Sequence, residues 1–158
     1  MSYPISVVEI PSATAMHLHK TLHVDRISSD VAAGMGDLFG QVAAAGMNPI
    51  GPPAITYLGE FRSGGELEAE FSVPIDEQKT DVKSNGAQVK TDPASTVAQT
   101  LHRGNYETIE GAYSALTNWI ADSPYSAAGP PTEVYLVGPD QVSDPDALVT
   151  EIRIPLKP

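Results

Sequence analysis

The 158-residue sequence contains no cysteine. A chain without thiols forms no disulfide framework, no thiolate metal site and no cysteine nucleophile. No apolar run has the length that a bilayer-spanning helix requires. The first residues, Met1-Ser2-Tyr3-Pro4, lack the basic and apolar regions of a signal peptide. We therefore expect a cytoplasmic protein that does not interact with membranes.

Basic residues are scarce. Nine lysines and arginines stand against 20 acidic residues, which gives a formal net charge of −11. The basic residues are scattered along the chain and form no stripe of the kind that binds nucleic acid. An acidic surface also repels phosphate backbones and anionic membranes. We expect no nucleic-acid partner, and solubility is the simplest interpretation of the charge.

Motifs of nucleophilic and nucleotide-binding enzymes are missing. The sequence has no Gly-x-Ser-x-Gly elbow. Gly34, Gly36 and Gly40 fall inside a predicted helix and no Gly-Lys-Ser/Thr follows them, so they form no phosphate loop. They would instead let another backbone or a ligand approach closely, or leave the helix mobile. We expect no cofactor.

Three histidines on one predicted strand, His17, His19 and His23, invite a metal interpretation. Strand alternation would place the first two on one face. No acidic or histidine partner stands at a useful spacing in the sequence. A solvated strand face explains these residues more simply, and we predict no metal site.

The most informative pattern is an internal repeat. The segment 51–58, Gly-Pro-Pro-Ala-Ile-Thr-Tyr-Leu, recurs 78 positions later at 129–136 as Gly-Pro-Pro-Thr-Glu-Val-Tyr-Leu, with five of eight residues identical. Residues 70–75 match 151–156 at an offset of 81. Two similar units that each lack a closed core are expected to pack together.

We therefore predict one α+β domain spanning residues 1–158, built from two pseudo-symmetric ββαββ repeats, about 1–77 and 82–158, with a polar link at 76–81. They would form an antiparallel curved sheet with two helices on one face and a central cleft. Prolines 74 and 155 place the closing strands at edges or ends. The predicted strands are 5–10, 14–24, 54–58, 66–75, 86–91, 95–103, 132–137 and 149–156.

Capping signals locate the two helices between these strands. Ser28-Ser29-Asp30 resembles an N-cap cluster for the first helix, which Gly46 and Pro49 would end. Gly104-Asn105 would cap the second, and Ser123-Pro124 would end it. Tyr106, Tyr113 and Trp119 are then expected to lie on that one second helix.

Within the repeat, Ile55 of the first copy is replaced by Glu133 in the second. Glu133 shares a strand face with Tyr135 and Val137, and both faces of this strand are largely apolar. A carboxylate in such a place must be paired, hydrogen-bonded or protonated, and a cationic ligand would also satisfy it. The alternatives are a carboxylate at the rim of the fold, or one satisfied by Arg103 or a backbone group.

Aromatic residues are also few, making up 6% of the chain. Tyr57 and Tyr135 are repeat-related and would approach a cleft from two sides. Core packing is the simpler role for Tyr113, whereas Trp119 lies beside the main apolar stripe and would suit a pocket wall. The candidate ligand-binding residues are Glu133, Tyr135, Tyr113, Trp119, Tyr57, Tyr106 and His102.

The second half resembles the GyrI-like small-molecule-binding family, whose fold also serves as the effector-binding domain of bacterial multidrug-responsive regulators such as BmrR and Rob. The resemblance rests on segments 102–107, 112–113, 119–120, 129–136 and 150–156. It implies a cleft for lipophilic, often cationic compounds, with Glu133 at the position of the family's acidic residue. Tyr113, Trp119 and Tyr135 match its aromatic walls less closely, and Asn105 replaces the commoner proline.

Three functions follow as hypotheses. The first is a stand-alone protein, without a helix-turn-helix segment, that binds a lipophilic and cationic drug or toxin. The second is a hydrolase of strained-ring, cyclopropanoid-type electrophiles, with Glu133 as general acid or base. The third is an acidic interaction protein that modulates a topoisomerase. The resemblance alone carries over neither the hydrolase activity nor the topoisomerase activity.

Overall fold

The computed structural model describes residues 3–60, 62, 64–76, 83–84, 87–139 and 141–157, with residues 83–84 described by their backbone only. The fold is α+β, and its strand pairs are antiparallel. The strands are β1 Ser6–Ile10, β2 Ala13–His23, β3 Ala54–Tyr57, β4 Glu66–Pro74, β5 Lys83–Ser84, β6 Ala87–Asp92, β7 Ser95–Arg103, β8 Thr132–Val137 and β9 Val149–Pro155, and the helices are α1 Ile27–Ala44 and α2 Glu110–Ala121.

The chain divides into two compact units. We call Met1–Pro11 with Ala94–Pro158 unit 1, and Ser12–Pro93 unit 2. The predicted strand at 86–91 is found one residue later, at Ala87–Asp92, with residue 86 outside the described part. Most of the predicted link at 76–81 also lies outside the described residues. The extent of one domain over residues 1–158 stays a prediction.

Unit 2 orders its strands β3-β4-β2-β6-β5 and packs α1 against β2 and β4. Strand β4 alternates between two faces: Leu67, Ala69, Phe71 and Val73 are buried, while its glutamates lie on the other face. This alternation gives the strand one apolar face for the helix and one wet face.

Unit 1 orders its strands β1-β7-β9-β8 and packs α2 against β7 and β9. The helix buries every third or fourth residue, which is the spacing of one helical face. Its core comprises Ala98, Ala112, Leu116, Ile120, Ile152, Ile154 and Leu156, with Tyr113 and Trp119 packed at the margin.

The repeat seen in the sequence is present in the strand pairing. Ile55 on β3 lies opposite Phe71 on β4, and Glu133 on β8 lies opposite Ile152 on β9. The helices repeat too: Gly34, Leu38 and Val42 are buried in α1, and Ala112, Leu116 and Ile120 in α2, each 78 positions later. Ile55 and Glu133 therefore occupy equivalent places in the two units.

The sequential halves and the compact units differ by an exchange of strands. β1 pairs with β7 in unit 1, and β6 pairs with β2 in unit 2. Unit 1 thus contains β1 from the first half of the sequence, and unit 2 contains β6 from the second half. The partners of β1 and β6 lie far along the chain, so no local sequence signal fixes these pairings.

Two local predictions were wrong. Helix α1 begins at Ile27 without a side-chain cap, because Asp30 instead accepts a 2.7 Å hydrogen bond from the backbone N–H of His23. Tyr106 does not lie on α2, because residues 106–108 form a 3₁₀ turn. Asn105 caps that turn by accepting from the N–H of Glu107 at 3.0 Å.

The structure shows why one of the three helical glycines, Gly34, must be glycine. A Cβ at this position would lie 2.4 Å from the Phe71 ring, so only glycine lets α1 contact the buried phenylalanine. A Cβ atom added at Gly36 or Gly40 would meet no neighbouring atom of the described residues within 4 Å. The group that approaches Gly34 is therefore a core side chain, and not the backbone or ligand expected from the sequence.

Neither helix in the described part of the chain is long and apolar enough to cross a membrane.

Candidate functional site

The carboxylate of Glu133 lies buried in unit 1 and is held by two tyrosines. Its side chain projects from β8 and the residue is only 7% exposed. The hydroxyl of Tyr113 on α2 donates to Oε2, and the hydroxyl of Tyr135 on β8 donates to Oε1 at 2.8 Å. Burial excludes a rim position. Tyrosine hydroxyls, and not Arg103, satisfy the carboxylate.

Burial raises the pKa of Glu133 above its ordinary value. The hydrogen bonds from Tyr113 and Tyr135 and the field of His102 act in the opposite direction but do not outweigh desolvation. Within the described residues, no lysine, arginine or histidine side chain forms an ion pair with Glu133. Among the described residues the carboxylate is thus hydrogen-bonded by neutral hydroxyls and forms no ion pair.

A third tyrosine adds to this group. The rings of Tyr106 and Tyr135 meet edge to face with centroids 6.1 Å apart. Tyr106 is 37% exposed, whereas Tyr135 is partly buried. The 3₁₀ turn that removes Tyr106 from α2 therefore brings it against the tyrosine that holds Glu133. We call Glu133, Tyr106, Tyr113 and Tyr135 the tyrosine–carboxylate group.

His102 lies on β7 of the same unit and is fully buried. The hydroxyl of Tyr3 donates to Nδ1 at 3.0 Å, and Nε2 donates to the carbonyl oxygen of Asn105 at 2.8 Å. A carbonyl only accepts, so Nε2 carries the hydrogen. Tyr3 also stacks on the imidazole at 6.0 Å. Since both nitrogens are hydrogen-bonded internally, direct ligand contact by His102 stays a prediction.

Comparison with known families decides the identity of the fold. The model of the GyrI-like small molecule binding domain matches residues 3–157. The chain belongs to the GyrI-like family. Its second half resembles this family in sequence, and the match extends that resemblance over both halves. No curated protein gave a significant sequence match.

Solved structures share the GyrI-like fold. The EcmrR C-terminal domain superposes with a TM-score of 0.87 at 20% identity, covering 99% of each chain. EcmrR in a DNA complex gives 0.86 at 21% identity, and there the match covers 98% of this chain but only 57% of that chain. The absence of a nucleic-acid partner is thus a prediction that stays open.

Two more distant structures have the same fold. SAV2435 bound to tetraphenylphosphonium gives a TM-score of 0.60 at 15% identity, with 99% of this chain and 94% of that chain covered. A hydrolase from Listeria innocua gives 0.70 at 11% identity, with 97% and 91% covered. At these identities the likeness shows the fold alone.

Two candidate residues of the GyrI-like domain lie outside the tyrosine–carboxylate group. Trp119 stacks on Tyr125 with centroids 6.0 Å apart and packs at the margin of the unit 1 core. Tyr57 is a buried residue of unit 2, opposite Ala69 on β4. Ligand contact by Trp119 and Tyr57 stays a prediction, as does the central cleft.

The histidines of β2 have acidic partners that the sequence did not indicate. His17 is buried, with Nδ1 3.1 Å from Glu70 and Nε2 2.9 Å from Asp92. His19 contacts Glu68. These carboxylates come from β4 and β6, so sequence spacing could not reveal them. Within the described part of the chain, no group of three or more such side chains is arranged to hold a metal ion.

Sequence reasoning missed Thr150 as a polar residue of this site. Thr150 lies on β9, directly opposite both His102 on β7 and Tyr135 on β8. It is fully buried, and its hydroxyl has no hydrogen-bond partner among the residues that the structure describes. The missed signal was the repeat, because the equivalent residue at an offset of 81 is Ala69. Thr150 is thus a second place, besides Glu133, where unit 1 replaces an apolar residue with a polar one.

Proposed function

We propose that this GyrI-like domain binds a lipophilic cation, with Glu133 as the counter-charge and the surrounding tyrosines as the aromatic wall. The observation that carries the proposal is the buried carboxylate of Glu133. Its hydrogen-bond donors are neutral hydroxyls, and its pKa is raised by desolvation. A positive charge brought by a ligand would supply the missing electrostatic partner.

A lipophilic cation suits this environment better than a strongly hydrated one. Removing a compact ammonium ion from water costs far more than removing a charge spread beneath apolar groups. The tyrosine rings also offer their faces to a positive charge. Tyr106 is the most exposed member of the group, so it is the ring that an arriving ligand would meet first.

Two further facts support the choice. The family is one of small-molecule-binding domains, and the match covers residues 3–157. SAV2435, which has this fold, was solved bound to tetraphenylphosphonium, a lipophilic cation. We therefore use tetraphenylphosphonium as the probe. Its charge is permanent, so only the protein titrates in a binding experiment.

The direct test is the variant Glu133→Gln, measured by calorimetric titration with tetraphenylphosphonium. Loss of a desolvated charge partner should weaken binding by about 2–5 kcal/mol. Glu151→Gln is the matched control, because Glu151 is a partly buried carboxylate on β9 that Arg153 already pairs at 2.6 Å. It should bind as wild type does. Equal affinity of wild type and Glu133→Gln would contradict the proposal.

A second candidate function is hydrolysis of a strained-ring electrophile. The observation that favours it is the raised pKa of Glu133, which suits a general acid or base. Tyr113 or Tyr135 would orient water or polarise the leaving group. Incubation with an electrophilic cyclopropane, followed by mass spectrometry, separates the two functions. Hydrated product in excess of the protein indicates turnover, whereas stoichiometric capture without product indicates binding.

Modulation of a topoisomerase through the acidic surface stays a prediction, as do stand-alone action and a cytoplasmic location. Pull-down with charge-reversed surface variants tests the interaction. Partner capture that survives every reversal would exclude the acidic surface as the interface.

A further inference from the structure

The hydroxyl of Thr150 is the one polar group near the tyrosine–carboxylate group that has no partner within the described residues. Thr150 is fully buried between His102 and Tyr135 on the neighbouring strands. Residues directly opposite each other leave a sheet on the same face. The hydroxyl therefore belongs to the face that carries Glu133 and Tyr135. An unpaired buried hydroxyl is costly, so its retention needs a reason.

The repeat shows that the fold itself does not require this hydroxyl. Ala69 occupies the equivalent place in unit 2, opposite Tyr57 as Thr150 is opposite Tyr135, and it is also fully buried. A methyl group thus satisfies the same position in the same strand arrangement. Two equivalent positions are apolar in unit 2 and polar in unit 1, namely Ile55/Glu133 and Ala69/Thr150. In unit 1 these two polar residues lie on neighbouring strands and on the same face of the sheet.

We infer that Thr150 is a specificity-determining residue, and that the ligand is a lipophilic cation that also carries a hydrogen-bond acceptor. This inference rests on the proposed function of Glu133. Thr150 is one strand across and two residues along from Glu133, a diagonal of about 7–8 Å between strand positions. A ligand whose charge lies against Glu133 therefore places an acceptor on its periphery near Thr150.

Two probes isolate the hydroxyl. The cations (4-acetylphenyl)triphenylphosphonium and (4-isopropenylphenyl)triphenylphosphonium have nearly the same shape and differ by a carbonyl oxygen in place of a CH₂ group. Wild type should bind the acetyl probe about fivefold more tightly, the ratio expected for one net hydrogen bond. Thr150→Val keeps the shape and removes the hydroxyl. It should abolish this preference, so that the two probes bind with equal affinity.

Thermal unfolding of the free variants supplies an independent readout. Thr150→Val should raise the Tm, because it removes an unsatisfied buried polar group. Thr150→Ser retains the hydroxyl and should retain the acetyl preference. It is therefore the control for changing this side chain without removing its hydroxyl.

Each remaining outcome has a definite meaning. A preference for the acetyl probe that persists in Thr150→Val, or no preference in wild type, overturns the inference about Thr150 while leaving the role of Glu133 intact. A lowered Tm in Thr150→Val with unchanged preference assigns the hydroxyl a structural role and also overturns it. If neither probe binds wild type, the proposed function itself fails, and this inference fails with it.

Discussion

At the scale of single residues, Glu133 shows that burial outweighs hydrogen bonding. Two tyrosine hydroxyls and the field of His102 favour the carboxylate, yet desolvation raises the pKa of Glu133. The residue is therefore protonated over a wider pH range than an ordinary glutamate. In the proposed function, a permanent cation interacts more favourably with the ionised form, so its affinity and the charge of Glu133 are thermodynamically linked.

This linkage predicts that tetraphenylphosphonium binds more weakly as the pH falls through the raised pKa of Glu133. The decline should start at a higher pH than for an ordinary glutamate. It is limited to about tenfold per pH unit, since one proton is exchanged. Titrations across the acid range measure it.

Glu133→Gln should give a flat profile, and Tyr113→Phe, which removes a donor to the carboxylate, should move the midpoint upward. A wild-type profile without any pH dependence would contradict the assignment.

The same raised pKa has a consequence for stability without ligand. A carboxyl whose pKa is higher in the folded than in the unfolded state contributes most to folding stability below the unfolded pKa. This contribution is lost as the pH rises through the folded pKa. Ionisation of Glu133 therefore costs folding free energy at neutral pH. The tyrosines limit this cost, and a bound cation would offset the rest.

At the scale of elements, the packing of α1 on β4 depends on Gly34. Gly34→Ala should destabilise unit 2 by about 1–3 kcal/mol in spite of the better helix propensity of alanine, because the new methyl group overlaps the Phe71 ring. Urea unfolding at equilibrium measures the change.

Gly36 and Gly40 are matched controls on the same helix, since both are exposed and have open space around them. Alanine at either position should stabilise the protein by about 0.5–1 kcal/mol through helix propensity alone. A stabilising Gly34→Ala would show that the ring moves freely and that α1 is not fixed by this contact.

The boundaries of two strands were predicted accurately, those of β7 at Ser95–Arg103 and β8 at Thr132–Val137. The start of α1 was not. Its predicted N-cap cluster contained suitable residues, but the Asp30 side chain instead accepts a hydrogen bond from the backbone N–H of His23 at the end of β2. Capping preference is local, and a tertiary hydrogen bond of comparable strength overrides it.

At the scale of the whole molecule, the net charge of −11 acts beyond any single contact. A negative field attracts cations and accelerates their encounter with the protein. The association rate of tetraphenylphosphonium should therefore fall as salt is added, by up to about tenfold, while dissociation changes little. Stopped-flow quenching of the intrinsic tyrosine and tryptophan fluorescence measures both rates.

A neutral aromatic compound of similar size separates this long-range effect from the site, because its association should not depend on salt. Glu133→Gln should keep most of the salt dependence, since it removes one charge among many. Loss of the dependence in that variant alone would assign steering to Glu133 instead of the overall charge.

The sequence by itself determined the α+β class, the positions of most strands, the repeat and its exception at Glu133. These follow from periodicity and local similarity, which are properties of neighbouring residues. Glu133 could be chosen as a candidate from the sequence because the repeat-related residue, Ile55, shows that the fold accepts an apolar side chain at this position.

Only the tertiary structure decided what surrounds that carboxylate and which strands pair. The Tyr113 and Tyr135 hydroxyls reach Glu133, Tyr106 enters the group through a 3₁₀ turn, and the Thr150 hydroxyl has no hydrogen-bond partner among the described residues. The exchange of β1 and β6 likewise depends on hydrogen bonds between segments far apart in sequence. Sequence periodicity assigns a face to each side chain, but contact and desolvation depend on which elements the fold brings against that face.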